Sequence, residues 1–340
     1  MPGYLDLLRE RVVVFDGAMG TNLQLRGLGP DDFGGSALEG CNEVLCASRP
    51  DVVQELHESF LSVGVDVVET NSFGAFPTVL AEYGIAERAA ELARRSAELA
   101  KEVASGFSTP DRPRFAAGSM GPGTKFPSLG QISYADLRDA YEVEASALLE
   151  RGVDLLLVET CFDLLGAKAA IAACRRAMAA TGREVPLQVQ VTIELTGRML
   201  PGTEIGAALA ALDAMRPAVV GINCATGPAE MYEPVRYLCE HSRLPVSTLP
   251  NAGLPSVVDG RMHYDLGPEE LAGHLRTFVA DLGVSVVGGC CGTTPEHMAR
   301  VVESVGGLVP KRRSPAHEPG ASSLYSFVPF EQDQSFLVVG

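Results

Sequence analysis

Short runs of consecutive apolar residues recur along most of the chain, and a stretch with helical spacing follows each run. Runs that are apolar throughout are typical of parallel strands that helices cover on both faces. Eight such runs span residues 12–16, 65–70, 115–119, 154–160, 187–193, 218–224, 246–250 and 284–289. Eight strand–helix units in about 300 residues predict an α/β fold of the (β/α)8 TIM-barrel class.

A doubly wound open sheet is the alternative arrangement of such units. It is the less favoured one, because no glycine-rich phosphate-binding loop follows the first run. The glycine-rich residues 118–123 follow the third run instead and lack the required spacing. Helix start signals support the predicted helices: Ser133 precedes Asp136 as an N-cap would, and Thr294 precedes Pro295.

The chain changes character after residue 307. Residues 308–323 are rich in proline, serine and basic side chains, which is typical of a linker. Residues 327–340 turn apolar again, and their last five (FLVVG) resemble the opening strand of another domain. We therefore predict a barrel over residues 1–307, with a short C-terminal tail over residues 308–340 that comprises a linker and the start of a following module.

The composition excludes several classes of protein. A net charge of −16 argues against nucleic acid as a partner, because phosphates need a basic surface. No apolar run is long enough to cross a membrane, and no targeting segment is visible, which predicts a cytoplasmic protein. In that compartment the eight cysteines are expected to be reduced, as buried thiols or metal ligands.

Polar or reactive side chains cluster at the carboxyl ends of the predicted strands. In a (β/α)8 barrel these ends meet on one rim, where active sites lie. Residues far apart in sequence are therefore expected to become neighbours. The residues concerned are Asp16, Glu69, Thr70, Asn71, Ser119, Glu159, Thr160, Asn223, Cys224, Asn251, Cys290 and Cys291.

Three cysteines on this rim, Cys224, Cys290 and Cys291, suggest zinc. Thiolates are soft ligands that zinc accepts, and three protein ligands with one open position are typical of a catalytic zinc site. Adjacent cysteines can reach one ion only if the strand has ended before them, and glycines on both sides of the pair provide that freedom. The alternatives are three small buried side chains, or a redox disulfide between Cys290 and Cys291.

Asp16 and Glu159 form a second candidate pair on the rim. Two carboxylates there could act as acid and base, or they could hold an ammonium group. Residues 16–21 (DGAMGT) offer consecutive backbone N–H groups suited to a carboxylate. Together these features predict an amino-acid substrate, although carboxylates that merely cap the following helices are the alternative.

Four motifs resemble the homocysteine S-methyltransferase family over roughly residues 10–310: DGAMGT at 16–21, VETN at 68–71, GINC at 221–224 and GGCCGTT at 288–294. The likeness is strongest to the branch that forms the N-terminal, homocysteine-binding module of cobalamin-dependent methionine synthases. Residues 250–255 (PNAGLP), 159–163 (ETCFD) and 336–340 favour this branch.

The resemblance implies that Cys224, Cys290 and Cys291 bind Zn²⁺. It also implies that Asn251 can occupy the fourth position when substrate is absent.

The resemblance further assigns the contacts to the substrate. Asp16 and Glu159 would bind its amino group, and the turn around Gly17 and Ala18 its carboxylate. Glu194 receives no role, because relatives often have aspartate after the fifth strand.

The implied reaction is methyl transfer to the thiol of L-homocysteine, which gives methionine. The donor would be methylcobalamin carried by another module and ultimately supplied by methyltetrahydrofolate, so the expected partners are folate-binding and cobalamin-binding modules of one longer protein. One alternative is a stand-alone methyltransferase that uses betaine or S-methylmethionine. An alternative of another class is a non-catalytic zinc or redox thiol protein.

Overall fold

The structure is a computed structural model that describes residues 3–258 and 261–332. In this part of the chain the strands are β1 (Val13–Val14), β2 (Val67–Glu69), β3 (Phe115–Met120), β4 (Leu155–Cys161), β5 (Leu187–Val191), β6 (Val219–Asn223), β7 (Val246–Leu249), β8 (Pro255–Val258), β9 (Arg261–Tyr264), β10 (Val286–Val287), β11 (Gly320–Ser322) and β12 (Phe327–Pro329).

The helices of the described residues are α1 (Tyr4–Glu10), α2 (Met19–Gln24), α3 (Leu45–Ser48), α4 (Pro50–Val63), α5 (Pro77–Leu80), α6 (Ala89–Phe107), α7 (Tyr134–Glu150), α8 (Leu164–Thr181), α9 (Ile205–Ala214), α10 (Pro228–His241), α11 (Pro268–Thr277) and α12 (Pro295–Val305). None of them is both long and apolar enough to span a bilayer. Ser133 caps α7 as predicted, because its side chain accepts a hydrogen bond from the Asp136 N–H.

Eight of the strands form one parallel sheet in the order β1-β10-β7-β6-β5-β4-β3-β2. A parallel bridge between Phe15 and Val67 joins its two ends. Two hydrogen bonds reinforce this junction, from Asp66 N to Val14 O at 2.7 Å and from Asp16 N to Val67 O at 3.0 Å. The sheet is therefore a closed barrel, and the predicted (β/α)8 fold is confirmed.

Each predicted run overlaps one barrel strand, although several strands are shorter than predicted and β3 and β4 each end one residue later, at Met120 and Cys161. The first run, residues 12–16, contributes only β1, and the last, residues 284–289, only β10. The ends of both runs leave the regular ladder to build the rim: Gly289 N donates to Asp16 O at 2.9 Å.

Two apolar clusters form the core. The larger lies between the strands and the surrounding helices. The smaller fills the barrel and includes Phe15, Leu157 and Val219, with Tyr4 and Leu7 of α1 packed against them. The Tyr4 hydroxyl donates to Gln188 Oε1 at 2.6 Å inside the barrel. Helix α1 therefore closes the amino-terminal end, and the opposite end is left for the site.

The tail follows the outside of the barrel over residues 308–332. Strands β11 and β12 form an antiparallel hairpin. The Arg313 guanidinium donates to the carbonyl oxygens of Cys239, Ser242 and Leu244, at the carboxyl end of α10. This part of the predicted linker is thus bound to the barrel surface. Residues 336–340 lie outside the described residues, so the boundary at residue 307 stays a prediction.

A buried ion-pair network supports the barrel junction. Asp66 directly precedes β2, is 2% exposed, and accepts two hydrogen bonds from Arg11 at 2.7 and 2.8 Å. It also pairs with the buried Arg114 at 3.2 Å and accepts the Val14 N–H at 3.0 Å. Removal of Asp66 would leave a buried guanidinium without its counter-charge.

We expect Asp66→Ala to lower the free energy of unfolding by about 3–5 kcal/mol, the usual cost of breaking a buried pair. Urea unfolding followed by circular dichroism measures this loss. The control is Glu150→Ala, which removes an exposed pair with Arg94 and should cost less than about 1 kcal/mol. Equal losses in the two variants would contradict this account of the junction.

Candidate active site

Three cysteine sulfurs meet at the carboxyl-terminal rim of the barrel. The Sγ atoms of Cys224, Cys290 and Cys291 all lie within 4.8 Å of one another, and those of Cys224 and Cys291 are 4.0 Å apart. Thiolates at about 2.3 Å from a tetrahedral zinc ion would be separated by about 3.8 Å. The donor type and the spacing both fit zinc. Of the side chains that the structure describes, these three form the group of at least three Cys, His, Asp or Glu residues whose ligand atoms lie close enough to share one metal ion.

The backbone brings these sulfurs together in an unusual conformation. Cys224 follows β6 with a φ of +63°, a left-handed value that is rare outside glycine. The pair Cys290–Cys291 lies beyond the end of β10, as predicted, and is fixed by a hydrogen bond from Cys290 N to Pro250 O at 2.8 Å. Gly292 has a φ of +80°, and a Cβ there would lie 2.3 Å from the ring of Tyr264. Both features require glycine at this position.

The three thiols differ in how readily they lose a proton. Hydrogen bonds from Cys224, Cys290 and Tyr264 lower the pKa of Cys291 to about 3, although burial opposes the shift. The hydrogen bonds with Cys224 and Cys291, together with burial, raise the pKa of Cys290 well above its ordinary value. Binding of a metal by all three sulfurs must therefore release protons. All eight cysteines of the chain are free thiols in this structure.

Asn251 lies beside the cysteines on the rim, directly after Pro250, whose carbonyl oxygen accepts the Cys290 N–H. Its backbone N–H donates to Thr226 O at 3.1 Å, and the side chain is 2% exposed. Within the described residues its Oδ1 atom has no hydrogen-bond partner. Buried acceptors of this kind are normally satisfied, so a bound cation or a ligand donor would complete the site.

Glu159 is held rigidly at the end of β4. Its Oε1 accepts the Ser119 hydroxyl at 2.6 Å, and its Oε2 accepts the Asn223 amide at 2.9 Å. The same Asn223 side chain accepts the N–H of Thr160, which has a φ of +53°. Burial raises the pKa of Glu159 to about 7.

Asp16 and Glu69 add two more buried carboxyl groups. Glu69 N donates to Asp16 Oδ2 at 3.1 Å, which fixes the two residues side by side. Burial raises the pKa of each well above its ordinary value, and repulsion from Glu159 adds to the shift in both. Three acidic groups therefore repel one another at one end of the barrel.

A cavity of about 370 Å³ opens onto most of these features, although Asp16 and Asn251 are not among the residues that line it. Cys224, Cys290, Cys291, Glu69 and Glu159 line it. So do Gly17, Ala18, Met19, Gly20, Thr21, Gln24, Asn42, Glu43, Thr70, Asn71, Phe73, Ser119, Thr160, Met262, Tyr264 and Gly289.

The predicted carboxylate receptor is only partly available. Gly17 and Ala18 line the cavity, but the N–H of Ala18 already donates to Thr293 Oγ1 at 3.1 Å.

The sequence placed Glu69 and Asn223 on the rim without giving them a role, and it missed Tyr264. Glu69 carried a signal, because it ends the second predicted strand beside Thr70 and Asn71. Tyr264 carried none: it lies on the β8–β9 hairpin, an insertion after β7 that no motif distinguishes. The bonding role of Asn223 depends on the left-handed turn at Thr160, which the sequence does not reveal.

The protein is a closed (β/α)8 barrel with three thiols and several buried carboxyl groups at its mouth. The thiols are suited to a metal ion and the carboxyl groups to a cationic ligand. The sequence pattern of the homocysteine S-methyltransferase family matches residues 13–305. The chain belongs to this family, whose members are methyltransferases.

Relatives extend this assignment. The chain is 50% identical over 336 residues to a methionine synthase of Mycobacterium tuberculosis and 50% identical over 341 residues to one of Mycobacterium leprae. Each alignment covers 99% of this chain but 28% of the relative, so the chain spans under a third of the length of these proteins.

The fold is shared with the metallated form of the Escherichia coli homocysteine methyltransferase MmuM. The TM-score is 0.71 at 23% identity, over 88% of this chain and 98% of that one. Its oxidized form gives a TM-score of 0.69 at 23% identity, over 86% and 95%.

The raised pKa of Glu159 predicts a pH dependence of stability in the metal-free protein. A carboxyl with a pKa of about 7 when folded and 4.5 when unfolded favours folding fully below about pH 4.5. That contribution is lost as the pH rises through about 7. We expect wild type to lose up to about 3 kcal/mol of unfolding free energy relative to Glu159→Gln across this interval. Denaturant titrations at several pH values measure the difference, and parallel curves would contradict it.

Proposed function

We propose that this chain transfers a methyl group to the thiol of L-homocysteine and so forms methionine. In this proposal Cys224, Cys290 and Cys291 hold Zn²⁺. The observation that carries it is that three cysteine sulfurs within 4.8 Å of one another face the same cavity as buried carboxyl groups. Such a cavity offers one end to a thiol and the other to an ammonium group.

The donor set determines what chemistry the site supports. Zinc, when bound, supplies a positive charge that favours the thiolate form of a substrate sulfur. The three cysteine ligands carry more negative charge than the ion neutralises, which leaves a coordinated sulfur electron-rich. The site is therefore suited to a nucleophile. As the new sulfur–carbon bond forms, the bond between the methyl carbon and its donor breaks, and the bonding electron pair leaves with the donor.

The residues of the chain hold the substrate in position. Asp16 and Glu159 bind the ammonium group, and the turn at Gly17 and Ala18 binds the carboxylate. Ser119 and Asn223 fix the Glu159 carboxyl by hydrogen bonds of 2.6 and 2.9 Å. These contacts hold the substrate in one orientation, with its sulfur toward the cysteines.

In the absence of substrate, Asn251 would hold the metal ion together with the three cysteines through its side-chain oxygen. Its side-chain oxygen is buried and has no hydrogen-bond partner among the described residues, which supports this role.

We further propose that residues 1–307 form one module of a longer protein and that residues 308–340 lead into a folate-binding module. The methyl donor is methylcobalamin, carried by a separate cobalamin-binding module and recharged from methyltetrahydrofolate. The length of the mycobacterial methionine synthases, of which the chain covers 28%, supports this arrangement. The donor then approaches through the open mouth of the barrel.

The donor is tested by turnover of the chain with L-homocysteine and, separately, methylcobalamin, betaine and S-methylmethionine. We expect methionine to form with methylcobalamin and with neither of the other two donors. Turnover with betaine or S-methylmethionine, but not with methylcobalamin, would identify a stand-alone methyltransferase. No turnover together with no binding of homocysteine would favour a non-catalytic thiol protein.

The ligand set is tested by serine substitution. We expect Cys224→Ser, Cys290→Ser and Cys291→Ser to lose bound zinc and to slow turnover at least about 100-fold, since even indirect contacts to a metal are worth 10- to 100-fold. The matched control is Cys239→Ser in α10, which should keep one zinc per chain and the wild-type rate. Zinc content by atomic emission and methionine by chromatography are the readouts. Full zinc content in any of the three variants would contradict the assignment.

A further inference from the structure

Among the carboxyl groups that line the cavity is Glu69, to which the family resemblance assigns no role. We propose that Glu69, alongside Asp16 and Glu159, selects the ammonium group of the amino-acid substrate. This inference rests on the proposed function, because it concerns how the same site recognises its substrate.

The free hydrogen-bonding capacity of the three carboxyl groups distinguishes them. Both oxygens of Glu159 already accept protein donors, from Ser119 and Asn223. In contrast, Asp16 Oδ1 and Glu69 Oε1 are buried and have no partner among the described residues. The oxygens without a protein partner therefore belong to Asp16 and Glu69, and of these two residues Glu69 lines the cavity.

The fold places these two carboxyl-bearing residues side by side. Glu69 is the last residue of β2, and Asp16 follows β1, the neighbouring strand across the barrel junction. The hydrogen bond from Glu69 N to Asp16 Oδ2 leaves the other Asp16 oxygen free. Asp16 is 1% exposed, so bulk water does not solvate its carboxyl group.

The chemistry of the cavity points to a cationic donor as the occupant. The residues that line the described cavity include no lysine, arginine or histidine. Buried carboxylates are costly unless a positive charge and hydrogen-bond donors accompany them. A primary ammonium supplies one charge and three donors, enough to serve the open oxygen of Glu69 and a further acceptor at once. Thiols without an amino group satisfy neither.

Glu43 provides a matched control within the same cavity. It also lines the cavity, but its Oε1 accepts the Gly74 N–H at 2.8 Å and its Oε2 accepts the Cys41 thiol at 3.5 Å. Glu43→Gln therefore removes the same charge from the same space without removing an open acceptor.

The experiment is calorimetric binding of L-homocysteine and of its des-amino analogue γ-mercaptobutyrate to the zinc-loaded chain. Wild type should prefer homocysteine. We expect Glu69→Gln to weaken homocysteine binding by about 10- to 100-fold, the range for a hydrogen bond to a charged group, and to change analogue binding by less than about 3-fold. Glu43→Gln should keep the wild-type preference, and Glu69→Asp should recover part of it.

Thermal unfolding separates this role from a structural one. Glu69→Gln removes one of three mutually repelling carboxyl groups, so the substrate-free variant should unfold at the wild-type temperature or higher, with its zinc content unchanged. An unchanged preference for homocysteine in Glu69→Gln would overturn the assignment of Glu69, as would an equal loss of affinity for both ligands. Wild type that binds neither thiol would instead contradict the proposed function.

Discussion

The eight parallel strands close into a barrel because the first strand, β1, pairs with the second, β2. The site depends on that pairing. The junction is short: a bridge between Phe15 and Val67, two flanking hydrogen bonds, and the buried Asp66 beside them. The same junction carries Asp16 and Glu69 to the rim as neighbours. Within the sheet only β7 separates β6 from β10, which brings Cys224 to Cys290 and Cys291 although 67 positions separate Cys224 from Cys291. The barrel thereby holds these cysteines and carboxyl groups together although their negative charges repel one another.

The thiols and carboxyl groups of the site repel one another electrostatically. Three thiols and three carboxyl groups meet with no basic side chain in the lining of the described cavity. Burial raises the pKa values of Asp16, Glu69 and Glu159. At Asp16 and Glu69 repulsion between the acidic groups adds to the shift. In the function proposed here two positive charges, a metal ion at the sulfurs and an ammonium group at the carboxyl groups, relieve this repulsion. Binding of both charges therefore stabilises the folded chain.

Much of the fold follows from sequence pattern, because buried parallel strands produce continuous apolar runs and their polar ends mark the rim. That logic predicted the eight strands and the convergence of Cys224 with Cys290 and Cys291. It could not reveal which carboxyl oxygens are already bonded, since this depends on Ser119 and Asn223 in three dimensions. The β8–β9 hairpin was likewise missed, because short strands outside the barrel have no periodic signal.

The central claim is that the three cysteine thiolates form an open centre that accepts the sulfur of homocysteine. X-ray absorption at the zinc edge tests it most directly, on the zinc-loaded chain before and after addition of L-homocysteine. The account predicts three Zn–S contacts at about 2.3 Å plus one lighter ligand before addition, and four Zn–S contacts afterwards. An unchanged zinc coordination shell after addition of homocysteine would contradict it.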